Sequence, residues 1–179
     1  SCALVVGAFE FPGRRILSWA LAAPLAAPGY VAVYAWADAL SPFGPIANFL
    51  GWTGAPPVSI RTFWGAAFAL GATAYPYVYL AARAALARRS AAMMEAALTL
   101  GADPARALAF IVAPGLRPAL AGGLALVMME AAADFGVAEY CGLKTLSVGI
   151  FRTWYGLGDL AGAARLAGVL FLFACAFAL

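Results

Sequence analysis

TFWGAAFALGATAYPYVYLAA (62–82) runs without a spacer into RAALARRSAAMMEAALTLGADPARALAFIVAPGLR (83–117). The first stretch has the length of a membrane-crossing helix, about 20 apolar residues. The second holds Arg83, Arg88, Arg89, Arg106 and Arg117 with Glu95 and Asp103. A short arginine-rich loop after an apolar run stays on the cytoplasmic side of a bilayer. Junction 82/83 therefore predicts a helical membrane chain and gives it a direction.

The same alternation extends both ways. ILSWALAAPLAAPGYVAVYAWA (16–37) follows Arg14 and Arg15 and reads as an earlier span, with a kink or a start near Pro28. Loop 38–61 holds Pro42, Pro45, Pro56 and Pro57, which block a continuous helix. Its NFLGW stretch suits a short interfacial turn with Trp52 at headgroup depth. The 62–82 span is expected to be interrupted at Pro76. PALAGGLALVMMEAAA (118–133) is a further span. DFGVAEYCGLKTLSVGIFRTWYGLGDL (134–160) is too polar to span but aromatic enough to lie on a membrane face, and a last span starts near 161. Loops 38–61 and 134–160 then face outward and 83–117 faces the cytoplasm. Residues 1–9 and 166–179 read as cut spans, so 1–179 is taken as one incomplete domain.

Composition agrees. The chain is 65% hydrophobic and 11% charged, against about 45–50% and about 25% in soluble domains. The net charge of +3 sits at the ends of apolar runs and forms no solvated stripe, so nucleic acid is not an expected partner. Cys2, Cys141 and Cys175 match no disulfide framework or metal spacing. Without histidine, no Ser/His/Asp or Cys/His constellation exists, and no metal site is assigned. The lysine is Lys144 and no G-x-x-x-x-G-K-[ST] stretch occurs, which places any ATP site on another chain.

Within 83–117, Ser90 suits the N-cap of a helix through Leu100. Gly101 suits the left-handed position that ends it. Asp103 then caps a second helix with Pro104 at its first position, and Pro114 stops that helix. Met93, Met94, Ala97 and Leu98 offer an adaptable contact face, with Glu95 as an orienting charge. A pair of short helices beneath the membrane is a docking element.

Glu95-Ala96-Ala97, three residues, Gly101, nine residues, Ile111, two residues and Pro114 together resemble the EAA loop of binding-protein-dependent ABC importer permeases. Ala113 stands where that family often has leucine. The resemblance implies an all-α polytopic transmembrane helical bundle of the MetI-like ABC permease type, truncated here at both ends. It implies that the loop, about 90–114, docks on a separate ATP-binding subunit that forms a dimer and holds the ATP. It also implies an external solute-binding protein, a second permease half and a multi-pass place in the bacterial inner membrane. FPGRRILSWALAAPLAAPGYVAVYAW (11–36) and ADFGVAEYCGLKTLSVGIFRTWYGLGD (133–159) are similar to ferric-iron-type permeases, in which two halves are often fused. Iron is the expected solute. Thiamine, polyamines or a sulfate-like solute within the same family are the alternatives, and a secondary transporter is the rival class.

Two carboxylates remain. Glu130, near the end of the third full span, and Asp134, one turn on, either line a cation path or sit at the interface and cap the next segment. The second reading is preferred. The preferred reading of Tyr75, Tyr77 and Tyr79 is packing rather than guidance of a hard cation. Arg165 is expected to snorkel. Gly122 and Gly123 are expected to admit a neighbouring helix.

Overall fold

The structure, a computed structural model, describes residues 2, 3, 6, 11–41, 43–50, 59–99, 101, 103–107, 110 and 113–178. At 47, 50, 88–95, 98, 104, 105 and 178 the description is of the backbone alone. The described residues are mostly helical, and no strand occurs among them. In chain order the helices are α1 (Arg14–Ala22), α2 (Gly29–Ala39), α3 (Pro45–Leu50), α4 (Phe63–Thr99), α5 (Pro104–Ala107), α6 (Arg117–Ala133), α7 (Gly136–Tyr140), α8 (Leu146–Phe151) and α9 (Leu160–Ala178). A 3₁₀ turn, Ala23–Ala26, extends α1, and a π-helical turn, Arg152–Gly156, extends α8.

The first span is broken at Ala27–Pro28, with Pro28 at the N-cap of α2. Pro24 and Pro28 lie one turn apart, so two successive turns each lose a backbone donor. The second expected span is not interrupted at Pro76. Residues Phe63–Thr99 form one helix of 37 residues with Pro76 inside it. A single proline removes one bond; its ring is fully buried, and Ala74, Tyr79, Ala82 and Leu86 are buried with it. That packing offsets the lost bond. Ser90 is therefore not an N-cap but an interior residue of α4. At 1.5 Å per residue α4 is about 55 Å long, well beyond the roughly 30 Å of a hydrocarbon core.

Two compact units divide the chain. One holds 1–24 and 75–127. Its core is Ala3, Tyr79, Ala82, Leu86 and Leu116, with Leu21 and Ala85 packed against it. Tyr79, Ala82 and Leu86 share one stripe of α4 at helical spacing. A Cβ on Gly123 would lie 2.9 Å from the Val78 Cα, so this glycine sets the approach of α6 to α4; Gly122 faces open space. Arg83 Nη1 donates to the buried Ser18 Oγ at 2.6 Å, tying α4 to α1.

The other unit holds 25–74 and 128–179. Val33, Ile60, Ala66, Ala69, Val137 and Cys141 form its core. Trp36 meets Phe68 edge to face with centroids 5.0 Å apart, and Tyr34 meets Tyr140 at 4.5 Å. The 134–160 stretch is compactly folded: Val137, Ala138, Cys141, Ser147 and Val148 are all buried.

Among the described residues, Leu160–Phe177 is by itself long and apolar enough to cross a membrane. Arg14–Ala26 and Gly29–Ala39 qualify together as a broken span. The other two expected spans are helical. One carries Tyr75, Pro76, Tyr77 and Tyr79 within its apolar half, and the other, α6, is 17 residues long. Ile16, Trp19, Phe171, Leu172 and Phe173 are exposed large apolar side chains on α1 and α9.

Candidate functional site

The turn that joins α4 to α6 is built by local backbone rules. α4 ends at Thr99, whose hydroxyl donates to the Ala96 carbonyl at 2.8 Å. Gly101 follows with φ +82°. A side chain there would be strained by roughly 1 kcal/mol or more. Among the described residues no atom lies within 4 Å of an ideal Cβ at Gly101, and the demand for glycine there comes from the backbone. Asp103 Oδ2 accepts the Arg106 N–H at 3.4 Å, and its carbonyl accepts the Ala107 N–H at 2.9 Å. With Pro104 at the first position of α5, these are the cap and the start that the spacing predicts.

Ala97 and Ala107 turn inward and are buried, while Ala96, Gly101, Asp103, Arg106, Phe110 and Pro114 are exposed. Among the described residues the turn thus has a buried inner face and an exposed outer one. Pro114 lies inside a helical turn, Ala113–Gly115, rather than ending a helix. Leu116 follows, buried against Tyr79, Ala82 and Leu86, and anchors the return of the chain. Ile111 lies outside the described residues. The Glu95 backbone is within α4; its side chain, with those of Met93, Met94 and Leu98, lies outside the description.

The second candidate set is elsewhere. Glu130 is exposed on α6. Asp134 is half-buried, and its Oδ1 accepts the Val137 N–H at 2.7 Å. This bond satisfies a first-turn N–H of α7, whose N-cap residue is Phe135. Tyr75 is exposed, Tyr77 half-buried and Tyr79 buried, so the three do not converge on one face. Among the described residues the Tyr79 hydroxyl has no hydrogen-bond partner. Arg165 is exposed.

Other contacts escaped the sequence reading. Ser18 is a lone hydroxyl in an apolar run, which is the signal that it serves a charged partner, here Arg83. Thr145 caps α8, accepting the Val148 N–H at 3.4 Å, and Ser147 donates to the Asp134 carbonyl at 2.9 Å. Arg61 lies 4.8 Å over the Tyr140 ring. Cys141 Sγ donates to the Ile60 carbonyl at 3.5 Å. Burial pushes the Cys141 thiol up from its ordinary pKa; Arg61 opposes this and Asp134 adds to it.

Helices with bare apolar faces, joined by an arginine-bearing helix–glycine–helix turn, define a helical membrane protein. The chain belongs to the family of binding-protein-dependent transport system inner membrane components, whose model matches residues 2–179. It is similar to the sulfate transport system permease protein CysT of Escherichia coli strain K12, 32% identical over 140 residues, 77% of this chain and 49% of that protein. It is also similar to the Fe(3+)-transport system permease protein FbpB 2 of Haemophilus influenzae, 23% identical over 169 residues, 94% of this chain and 30% of that protein. The probable sulfate transport system permease protein cysT of Nephroselmis olivacea is 31% identical over 135 residues, 75% of this chain and 46% of that protein. The chain thus spans between 30% and 49% of the length of these relatives. The family is a membrane permease component of ABC transporters, and its members here include both ferric and sulfate permeases.

Proposed function

We propose that this chain is the coupling part of a permease subunit of an ATP-driven importer in a bacterial inner membrane. The carrying observation is the Gly101 turn: a left-handed glycine between a capped helix and the end of a helix longer than a bilayer is thick. In this reading the loop of Glu95, Ala96, Ala97, Gly101, Ile111 and Pro114 docks on a separate ATP-binding subunit, with the exposed Ala96, Gly101 and Pro114 on the docking face. ATP is bound and hydrolysed there, by a dimer of such subunits, and this chain is not itself the enzyme. α4 is unbroken from Tyr75 to Thr99, so a displacement of the turn is passed along its axis. Leu116 and the Arg83–Ser18 bond give the displacement two further points of attachment. The 38–61 and 134–160 segments face outward, toward a solute-binding protein, and a second permease half completes the path.

Ferric iron is the solute we favour, because the similarity to the iron permease covers 94% of this chain. Sulfate is the second reading, because the sulfate permeases are more nearly identical, at 32%. Uptake of radioactive ferric iron and of radioactive sulfate, in cells carrying the whole system, separates them. Iron uptake that stops when ATP is depleted supports the first reading. Uptake of sulfate alone replaces the solute and leaves the coupling reading intact. Uptake that survives ATP depletion and collapses with the ion gradient overturns the coupling reading.

A further inference from the structure

Asp134 is the node of the 134–148 stretch. Its N–H donates to the Glu130 carbonyl at 3.0 Å as α6 ends. Its Oδ1 accepts the Val137 N–H at 2.7 Å as α7 begins. Its carbonyl accepts from Ser147 Oγ at 2.9 Å, and Ser147 Oγ lies 2.8 Å from Thr145 Oγ1, the cap of α8. The remaining oxygen, Oδ2, lies 3.2 Å from where a Cβ of Gly29 would stand. Gly29 is the first residue of α2. The N–H groups of a first turn lack helical partners, and negative charge is favourable beside them.

The two elements also approach closely one residue on. A Cβ on Gly136 would stand 2.7 Å from the Cβ of Tyr30, a separation that real side chains do not tolerate. Glycine on each element thus lets the starts of α2 and α7 meet, with the Asp134 carboxylate between them. Val33 of α2 and Val137 of α7, both fully buried, continue the contact into the core. The chain break at Ala27–Pro28 makes this contact matter, because no helical ladder holds α2 to the residues before it.

We propose that Asp134, Gly29 and Gly136 fasten α2 to the α7–α8 segment, so that the second half of the broken span and that segment move as one piece during transport. Asp134 is then a positioning residue and not a ligand of the solute. The transport context rests on the proposed function; the fastening itself does not.

The test uses the full-length permease co-expressed with its ATP-binding subunit, with native cysteines replaced by alanine and G29C/V137C added. The Gly29 Cβ position lies 3.4 Å from Val137 Cγ2, a place that the Sγ of a cysteine at 137 can take, so the two cysteines are within bonding reach. Y34C/Y140C is the second pair; it replaces two rings whose centroids lie 4.5 Å apart across the same two helices and leaves Gly136 in place. Membranes are oxidised with copper phenanthroline, and MgATP hydrolysis is measured in proteoliposomes before and after reduction. The expected result is a disulfide in most of the permease and hydrolysis within about twofold of the reduced protein, since the joined elements need not part. Adding Asp134→Ala should lower the disulfide yield several-fold, and Asp134→Asn, which keeps an oxygen for the Val137 N–H, should restore most of it. Absence of a disulfide from both pairs, or an equal yield in Asp134→Ala, overturns the fastening. A loss of hydrolysis of about tenfold on oxidation, reversed by reductant, shows that the elements must separate and overturns the joint movement. Failure of the ATP-binding subunit to associate at all counts against the proposed function, while the disulfide yield still decides the fastening.

Discussion

Pro28 and Pro76 stand in apolar runs of similar make-up, yet the chain breaks at one and passes straight through the other. Pro28 has Pro24 one turn before it, and Gly29, a poor helix former, directly after it. Each proline removes a bond and crowds the carbonyl four residues earlier. Two in successive turns leave too little ladder, and the chain restarts with Pro28 as a cap. Pro76 is alone in α4 and its ring is fully buried. Proline content therefore does not decide where a membrane helix ends; spacing and burial do. The consequence is functional. The unbroken α4 reaches the Gly101 turn, whereas the broken span leaves α2 to be placed by its contacts with α7.

The largest expected effect comes from giving α4 the pattern of the broken span. Ala72→Pro places prolines at 72 and 76, four apart like Pro24 and Pro28. An interior proline costs about 3 kcal/mol or more, so α4 should open. New protease sites between 63 and 99 and a sharp fall in the amount of permease in the membrane are the readouts. A protease-resistant Ala72→Pro protein at normal level would show that spacing is not what separates the two prolines.

A smaller effect separates two neighbouring glycines. Gly123→Leu pushes against the Val78 backbone and should lose about 1–3 kcal/mol by overpacking. Gly122→Leu faces open space and should stay within about 0.5 kcal/mol. Thermal unfolding of the two variants in the same detergent checks this, and equal losses would contradict the close approach of α6 to α4 at Gly123.

Asp134→Ala removes the hydrogen bond to the first turn of α7 and should cost about 1 kcal/mol. Glu130→Gln, at an exposed site with no capping duty, should lower uptake only modestly. Complete loss of uptake in Glu130→Gln, at normal membrane level, would move Glu130 into the path. The smallest effect belongs to Arg152→Ala. It breaks an exposed 3.3 Å pair with Glu139, worth about 0–1 kcal/mol after screening by water and salt. No measurable change in unfolding is expected, and a large one would give that pair a structural role.

Much of the turn was legible in the sequence because its rules are local. Gly101, Asp103 and Pro104 each act within four residues, and the structure has the positive φ, the cap and the helix start where the spacing puts them. The helical class was legible because the apolar runs are long. What was not legible depended on distant partners. Nothing local to Ser90 says that α4 runs through it, and nothing local to Pro76 says that Ala82 and Leu86 will bury the same stripe. The roles of Gly29 and Gly136 are set by a meeting of elements more than a hundred residues apart, and a glycine in a glycine-rich chain does not advertise it. Ser18 and Arg83 are likewise ordinary until they are brought together.

The central claim is that the Gly101 turn is where this chain receives the motion of its ATP-binding partner. Gly101→Asp tests it most directly, since no described atom crowds that position and the change acts on backbone conformation and on the charge of the outer face. Permease level, retention of the ATP-binding subunit and solute uptake are measured in the same membranes, with Glu95→Ala alongside. The expected result is a normal permease level, weak or absent retention and no uptake for Gly101→Asp, with a milder defect for Glu95→Ala. Full retention and full uptake in Gly101→Asp would contradict the claim.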